Sequence, residues 1–316
     1  MGASGLKVSR IGLGCNNFGG RIDIAASREV IHKALDLGIT LFDTADVYGN
    51  RGGSETCLGQ FLGDRRKDIV LASKFGSPMD DAGTMKGGSR RYVMSAVEAS
   101  LKRLKTDWID LYQMHRPDPQ TPIEETLHAL DDLIRQGKIR YIGCATVAAW
   151  QLVGMQWAAR HHGFAPLSSC LAEYSLIVRD AERDLVPAMQ TCGIGLLPYY
   201  PLASGFLTGK YKRDAPMPEG ARLTKGKRYS DKYLTEANWT RLERLEAFCK
   251  ARGRSLLELA FAWLSAQPVV ASVIAGATKA EQVEINARAT DWVLTPQELA
   301  EIDERCYGAP GASTAL

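Results

Sequence analysis

Short apolar runs alternate with amphipathic stretches from one end of the chain to the other, the pattern of repeated strand and helix units around a parallel sheet. The apolar runs near 10–16, 39–45, 68–74, 108–115, 140–146, 167–174, 193–200 and 271–277 read as strands. Helices are predicted near 26–37, 54–62, 90–103, 122–136, 148–161, 180–191, 239–251, 255–266, 279–288 and 296–305. In the stretch 90–103, Val93, Val97 and Leu101 fall on one face with Leu104 just beyond, and Ser89 stands ready as N-cap. Thr121-Pro122-Ile123-Glu124 opens the next helix with proline in its first turn, and Gly137 closes it. Strands that each feed a helix, with no linker between halves, favour one closed (β/α)8 barrel domain over residues 1–316. A doubly wound open sheet is the alternative.

Two connections are too long for simple turns: 76–88 after the third strand and 206–238 after the seventh. Both leave strand carboxyl ends, so both would overhang one mouth, where long loops commonly serve binding. The second carries Lys210, Lys212, Arg213, Arg222, Lys225, Lys227 and Arg228. These are either a solvated basic face or a contact for an anionic cofactor.

A chain of 316 residues that is 45% hydrophobic can bury a large core, and a net charge of only +3 leaves no footprint for a nucleic-acid partner. Seven scattered cysteines without a C-x-x-C pair suggest a reducing compartment, and no run is apolar for long enough to span a bilayer. A cytoplasmic protein with no membrane partner is expected. His32, His115, His128, His161 and His162 offer no metal-ligand spacing, which argues against a metal-dependent hydrolase. Gly12-Leu13-Gly14 begins like a dinucleotide fingerprint, but the third glycine is missing and no helix follows at once.

Chemistry gathers where apolar strands stop. Ile39 to Phe42 ends in Asp43, with Tyr48 on the glycine-rich turn beyond; Ile69 to Ser73 ends in Lys74; Trp108 to Met114 ends in His115. Each residue alone is more often structural: an aspartate caps a helix, a lysine faces water, a histidine packs. In a parallel barrel all four would converge on one face as a proton-transfer site. There Lys74 would lower the Tyr48 pKa and Asp43 would hold Lys74 charged, while His115 would orient a carbonyl oxygen.

These residues carry a resemblance. The chain is similar to the aldo-keto reductases in Phe42-Asp43-Thr44-Ala45 with Tyr48-Gly49, in Ser73-Lys74-Phe75-Gly76, and in Ser100-Leu101-Lys102-Arg103-Leu104 leading to Gln113-Met114-His115. It continues in Gly137-Lys138-Ile139-Arg140-Tyr141-Ile142-Gly143, Pro201-Leu202-Ala203-Ser204-Gly205 and Gly276-Ala277-Thr278-Lys279. The resemblance implies a barrel that binds NADP(H) and moves hydride between nicotinamide and the carbonyl of an aldehyde or ketone, or back from the alcohol. Tyr48 matches the family's general acid/base, Asp43 and Lys74 its supporting pair, and His115 its substrate-orienting residue. Tyr199 matches the ring stacked on nicotinamide. Pro201, Leu202, Ser204, Gly205 and Lys210 match the loop over the diphosphate. Gly276, Thr278, Lys279, Gln282 and Asn286 match the segment that holds the adenosine 2'-phosphate and adenine, and Lys279 favours NADP(H) over NAD(H).

The chain departs from that pattern at the carboxamide, where Ala145-Thr146 and Leu171 leave only Thr146 able to hydrogen-bond. Tyr200 and Ile285 are further departures. Phe18, Tyr48, Met79, Met85 and Arg116 are the expected small-molecule substrate contacts. The alternative function is a nucleotide-sensing subunit with little turnover, similar to the regulatory subunits of potassium channels; a turnover assay separates the two. Oligomeric state and substrate identity are not legible.

Overall fold

The computed structural model describes residues 1–224 and 226–307. Its strands are β1 (Ile11–Gly14), β2 (Leu41–Asp43), β3 (Val70–Phe75), β4 (Ile109–Met114), β5 (Ile139–Ala145), β6 (Leu167–Glu173), β7 (Gly195–Tyr199) and β8 (Val273–Gly276). They pair in parallel in the order β7-β6-β5-β4-β3-β2-β1-β8. The seam closes just before β8. The Leu196 N–H donates to the Val269 carbonyl at 2.7 Å, and the Ala271 N–H donates to the Leu196 carbonyl at 2.9 Å. The ring of strands is therefore a (β/α)8 barrel, as the alternation predicts.

The helices are α1 (Ile24–Asp36), α2 (Tyr48–Phe61), α3 (Arg90–Leu104), α4 (Ile123–Arg135), α5 (Ala149–His162), α6 (Leu185–Cys192), α7 (Lys227–Tyr233), α8 (Glu236–Lys250), α9 (Leu256–Ala266), α10 (Ala280–Arg288) and α11 (Pro296–Tyr307). Ser89 caps α3 as expected, its hydroxyl accepting from the Tyr92 N–H, and the buried face carries Val93, Val97, Leu101 and Leu104. Two expectations are corrected. The segment predicted as one helix over 180–191 is a short 3-10 turn at Asp180–Glu182 followed by α6. Pro187 explains the break, because its ring would strike the carbonyl four residues earlier in a continuous helix. Helix α7 was not predicted, because Lys227 to Tyr233 has no apolar stripe to announce it.

Strand alternation divides the apolar residues into two sets. Leu41, Ala72, Leu111, Ala145, Leu171, Leu197 and Ile274 fill the barrel, with Met1 and Val8 packed against them. A larger cluster lies between strands and helices. Asp43, Lys74 and Gln113 follow Leu41, Ala72 and Leu111 by two residues, so the same inward face turns polar toward the carboxyl ends. Among the described residues no helix is long and apolar enough to cross a membrane, and no group of His, Cys, Asp or Glu could hold a metal ion.

Candidate active site

Four polar side chains meet at the carboxyl ends of neighbouring strands. The Lys74 ammonium is 1% exposed; it donates to Asp43 Oδ2 at 2.6 Å and to the Thr44 carbonyl at 2.8 Å. Its Nζ lies 5.0 Å from the centre of the Tyr48 ring. The Tyr48 and His115 rings pack edge to face at 5.6 Å. The structure thus brings together Asp43, Tyr48, Lys74 and His115, the set singled out in the sequence.

A second tier supports Asp43. The Gln113 amide donates to Asp43 Oδ1 at 3.4 Å and accepts from the Ser169 hydroxyl at 3.1 Å. Gly143 lies between them: a Cβ there would come within 2.2 Å of Ser169 Oγ and 3.2 Å of Gln113 Oε1. Sequence reasoning missed Gln113 and Ser169. The available signal was a fully buried amide on the inward face of an apolar strand, which needs a hydrogen-bonding partner.

Tyr48 is aimed by an unusual turn. Gly49, Asn50, Arg51 and Gly52 all have positive φ before α2 becomes regular, and Asn50 and Arg51 do so without glycine's freedom. A Cβ at Gly49 would meet the Phe18 carbonyl at 2.3 Å and the Ser54 N at 2.6 Å, so only glycine fits. Phe18 is fully buried in the core beside this turn. It braces the turn and has no surface for a substrate, contrary to the sequence expectation.

Burial sets the charge states. It raises the Tyr48 pKa above the ordinary phenol value more strongly than Lys74 lowers it, so the net direction is opposite to the sequence expectation. Burial lowers the Lys74 pKa, but Asp43 and Tyr48 together more than reverse this and the ammonium is held charged. Burial raises the Asp43 pKa, with Lys74 and Gln113 opposing. His115 is pushed down to about 3 by burial, then by Lys74 and Arg116. At neutral pH the site therefore presents a protonated phenol and a neutral imidazole.

Asp46 lies in the same turn. Its N–H donates to the Lys74 carbonyl at 3.2 Å, while both carboxyl oxygens are buried without a hydrogen-bond partner. Burial and then Glu55 raise its pKa to about 7. A carboxyl that holds its proton more tightly when folded contributes most below the unfolded value of 3.8, and its contribution is lost as pH rises toward 7. Asp46→Asn is expected to leave the melting temperature nearly unchanged at pH 4. At pH 8 it should stabilise by up to roughly 4 kcal/mol, read as a higher melting temperature.

The connection after β7 lies at the same rim. Tyr199 is half-buried and packs edge to face on Tyr200 at 5.3 Å. Tyr200, Ala203 and Ser204 have positive φ, and Gly205 follows at φ 99°. Pro201 is buried, Leu202 half-buried, and the buried Ser204 hydroxyl has no hydrogen-bond partner. Glu173 at the end of β6 ties the long loop down, accepting from Lys232 and from the Tyr233 hydroxyl, each at 2.6 Å.

Four basic residues of that loop separate into two groups. Lys212 pairs with Glu246, and Arg213 with Glu236 and Glu243. Lys210 and Arg222 form no ion pair among the described residues. Burial lowers the Lys210 pKa, and Arg21 and Arg222 lower it further. Lys225 lies outside the described residues.

Beyond β8, Gln282 Oε1 accepts from the Thr278 N–H at 2.8 Å and from its hydroxyl at 3.1 Å. Lys279 is the exposed N-cap residue of α10, and Asn286 is buried on that helix. Gly276 lies against Asn16 and Asn17, whose side chains a Cβ would meet at 3.4 and 3.3 Å. Ala145 and Leu171 belong to the apolar barrel lining, while Thr146 is exposed at φ 58°. Of the other expected substrate contacts, Met79 is half-buried, Met85 is 50% exposed and Arg116 is exposed. Met79 and Met85 are joined by a backbone hydrogen bond of 3.0 Å across the 76–88 loop.

The buried lysine–aspartate pair, the phenol and the imidazole thus stand together at the carboxyl-end rim of a parallel barrel. Residues 10–305 match the model of the aldo/keto reductase family, so the chain belongs to that family. It is 36% identical to the uncharacterized oxidoreductase YrpG of Bacillus subtilis, covering 99% of this chain and 97% of that protein. It is 35% identical to an L-glyceraldehyde 3-phosphate reductase of Escherichia coli O157:H7, covering 96% and 90%. A probable voltage-gated potassium channel subunit beta of Arabidopsis thaliana is 36% identical, covering 98% and 96%. Family and relatives support an oxidoreductase with general aldo/keto reductase activity.

Proposed function

We propose that the protein is a cytoplasmic NADP(H)-dependent oxidoreductase that reduces a small aldehyde or ketone, reversibly with the alcohol. The observation that carries the reading is the buried Lys74–Asp43 pair set beneath the edge-packed rings of Tyr48 and His115.

The residues available suit the cofactor. Among the described residues Lys210, Arg21 and Arg222 are cations gathered without an ion-paired anion, and Ser204 offers a buried hydroxyl with no partner, a donor set that fits a diphosphate. Lys279, with the first turn of α10, would hold the 2'-phosphate, and Tyr199 would face the nicotinamide. Pro201, Leu202 and Gly205 would shape the loop over the diphosphate, while Gly276, Thr278, Gln282 and Asn286 would form the adenosine end. Thr146 alone remains to hold the carboxamide by a side-chain hydrogen bond.

When bound, NADP(H) supplies the hydride. Tyr48 donates its phenolic proton to the carbonyl oxygen, and His115 donates a hydrogen bond to the same oxygen as negative charge develops there. Lys74, held charged by Asp43, stabilises the phenolate that Tyr48 leaves behind. Gln113 and Ser169 keep Asp43 oriented. In oxidation Tyr48 takes the proton back.

The test is NADPH oxidation followed with small aldehydes. Sustained turnover supports the enzyme, whereas tight nucleotide binding with almost none supports a nucleotide sensor. Lys279→Glu is expected to weaken NADPH binding about 10–100-fold, as loss of a charge-assisted phosphate contact does, with NADH binding little changed. Equal losses in a binding titration would remove the assignment of the phosphate contact.

A further inference from the structure

Helix α5 carries an apolar stripe that nothing in the described chain covers. Trp150 is 75% exposed, Val153 45% and Trp157 61%, and with Gly154 they recur at the spacing of one helix face. The helix contains no Asp, Glu or Lys. Scattered surface hydrophobes need no explanation, but two neighbouring indoles on a helix without Asp, Glu or Lys do.

Gly154 gives the second observation. It sits in the middle of the helix, where glycine is less favourable than alanine, and a Cβ there would meet nothing within 4 Å. No contact among the described residues requires a glycine there. A glycine here leaves room for a close approach from outside.

The stripe is its own complement. When a second α5 runs antiparallel across the first, with the two-fold axis between Val153 and Gly154, Val153 faces the other copy's Gly154 and Trp150 faces its Trp157. Each valine then fills the space opposite a missing side chain, and each indole meets an indole. Antiparallel pairing also sends Arg160, His161 and His162 of the two copies to opposite ends, whereas parallel pairing would set these basic groups side by side. The four indoles would supply roughly 600 Å² toward the about 1,200–2,000 Å² that a stable interface buries. Gln151, Arg160 and the His161 ring, stacked on Trp157 at 4.9 Å, would form the rim.

We propose that α5 is a homodimer interface, in which Trp150 and Trp157 of one copy pack across a two-fold axis on Trp157 and Trp150 of a second copy of this chain.

Sedimentation of the full chain tests this. The wild type is expected to run as an even multiple of the chain mass, and Trp157→Glu to halve that mass with its far-ultraviolet circular dichroism unchanged. Gly154→Ala should raise the melting temperature at high dilution while weakening self-association about tenfold, as overpacking of a close helix contact does. A glycine with a purely internal role would not separate those two effects. A monomeric wild type overturns the proposal, as does a folded Trp157→Glu variant of undiminished mass. Should Trp157→Glu fail to fold, Gly154→Ala decides alone: unchanged self-association overturns the proposal.

Discussion

Tyr48→Phe is expected to lower kcat/KM for carbonyl reduction by about 10²–10⁴-fold, the range that a positioned general acid contributes, with the dissociation constant for NADPH nearly unchanged. Only the hydroxyl is removed. The edge-to-face contact with His115 at 5.6 Å and the placement of the ring near Lys74 survive in phenylalanine. His115 does not replace the lost proton donor near neutrality, because its pKa is held at about 3 and its imidazole stays neutral. Steady-state kinetics beside a fluorescence titration of the nucleotide would check both halves. Turnover at the wild-type rate would remove Tyr48 from the chemistry.

Lys74→Met has the largest expected effect on the protein as a whole. It leaves the Asp43 carboxyl buried with only the Gln113 amide for a partner, and breaking a buried ion pair from one side costs about 3–5 kcal/mol. Reduction should fall together with stability, because the phenolate of Tyr48 loses its neighbouring cation. The Asp43→Asn/Lys74→Met double variant separates the two effects. It is expected to recover most of the melting temperature, since no unpaired charge remains, while turnover stays low. Recovery of both would mean that the pair serves the fold alone.

The barrel was legible because each apolar run ends in a turn and each amphipathic stretch carries one buried face, as in α3. The cluster of Asp43, Lys74 and His115 was legible for a related reason: a polar residue at the end of an apolar strand must point where a closed ring of strands opens. Other features lay outside such patterns. Gln113 and Ser169 meet only because Gly143 leaves a gap on the strand between them, a pairing of registers that one chain does not display. The net direction of the Tyr48 shift depends on how deeply the phenol is buried, and charge spacing alone suggested the opposite. Phe18 counts among the expected mouth residues, yet it is fully buried and its carbonyl packs against Gly49. Helix α7 and the two uses of the basic loop, pairing by Lys212 and Arg213 against Lys210 and Arg222, which form no ion pair among the described residues, depend on tertiary contacts.

The central claim is that this cluster transfers hydride and proton to a carbonyl. NADPH deuterated at the transferable position of its nicotinamide, incubated with the protein and a small aldehyde, tests it most directly by mass spectrometry of the product. The account predicts one deuterium on the carbinol carbon of the alcohol, formed by the wild type and almost absent with Tyr48→Phe. Nucleotide held by the protein with unlabelled, unreduced aldehyde across a broad panel would contradict it.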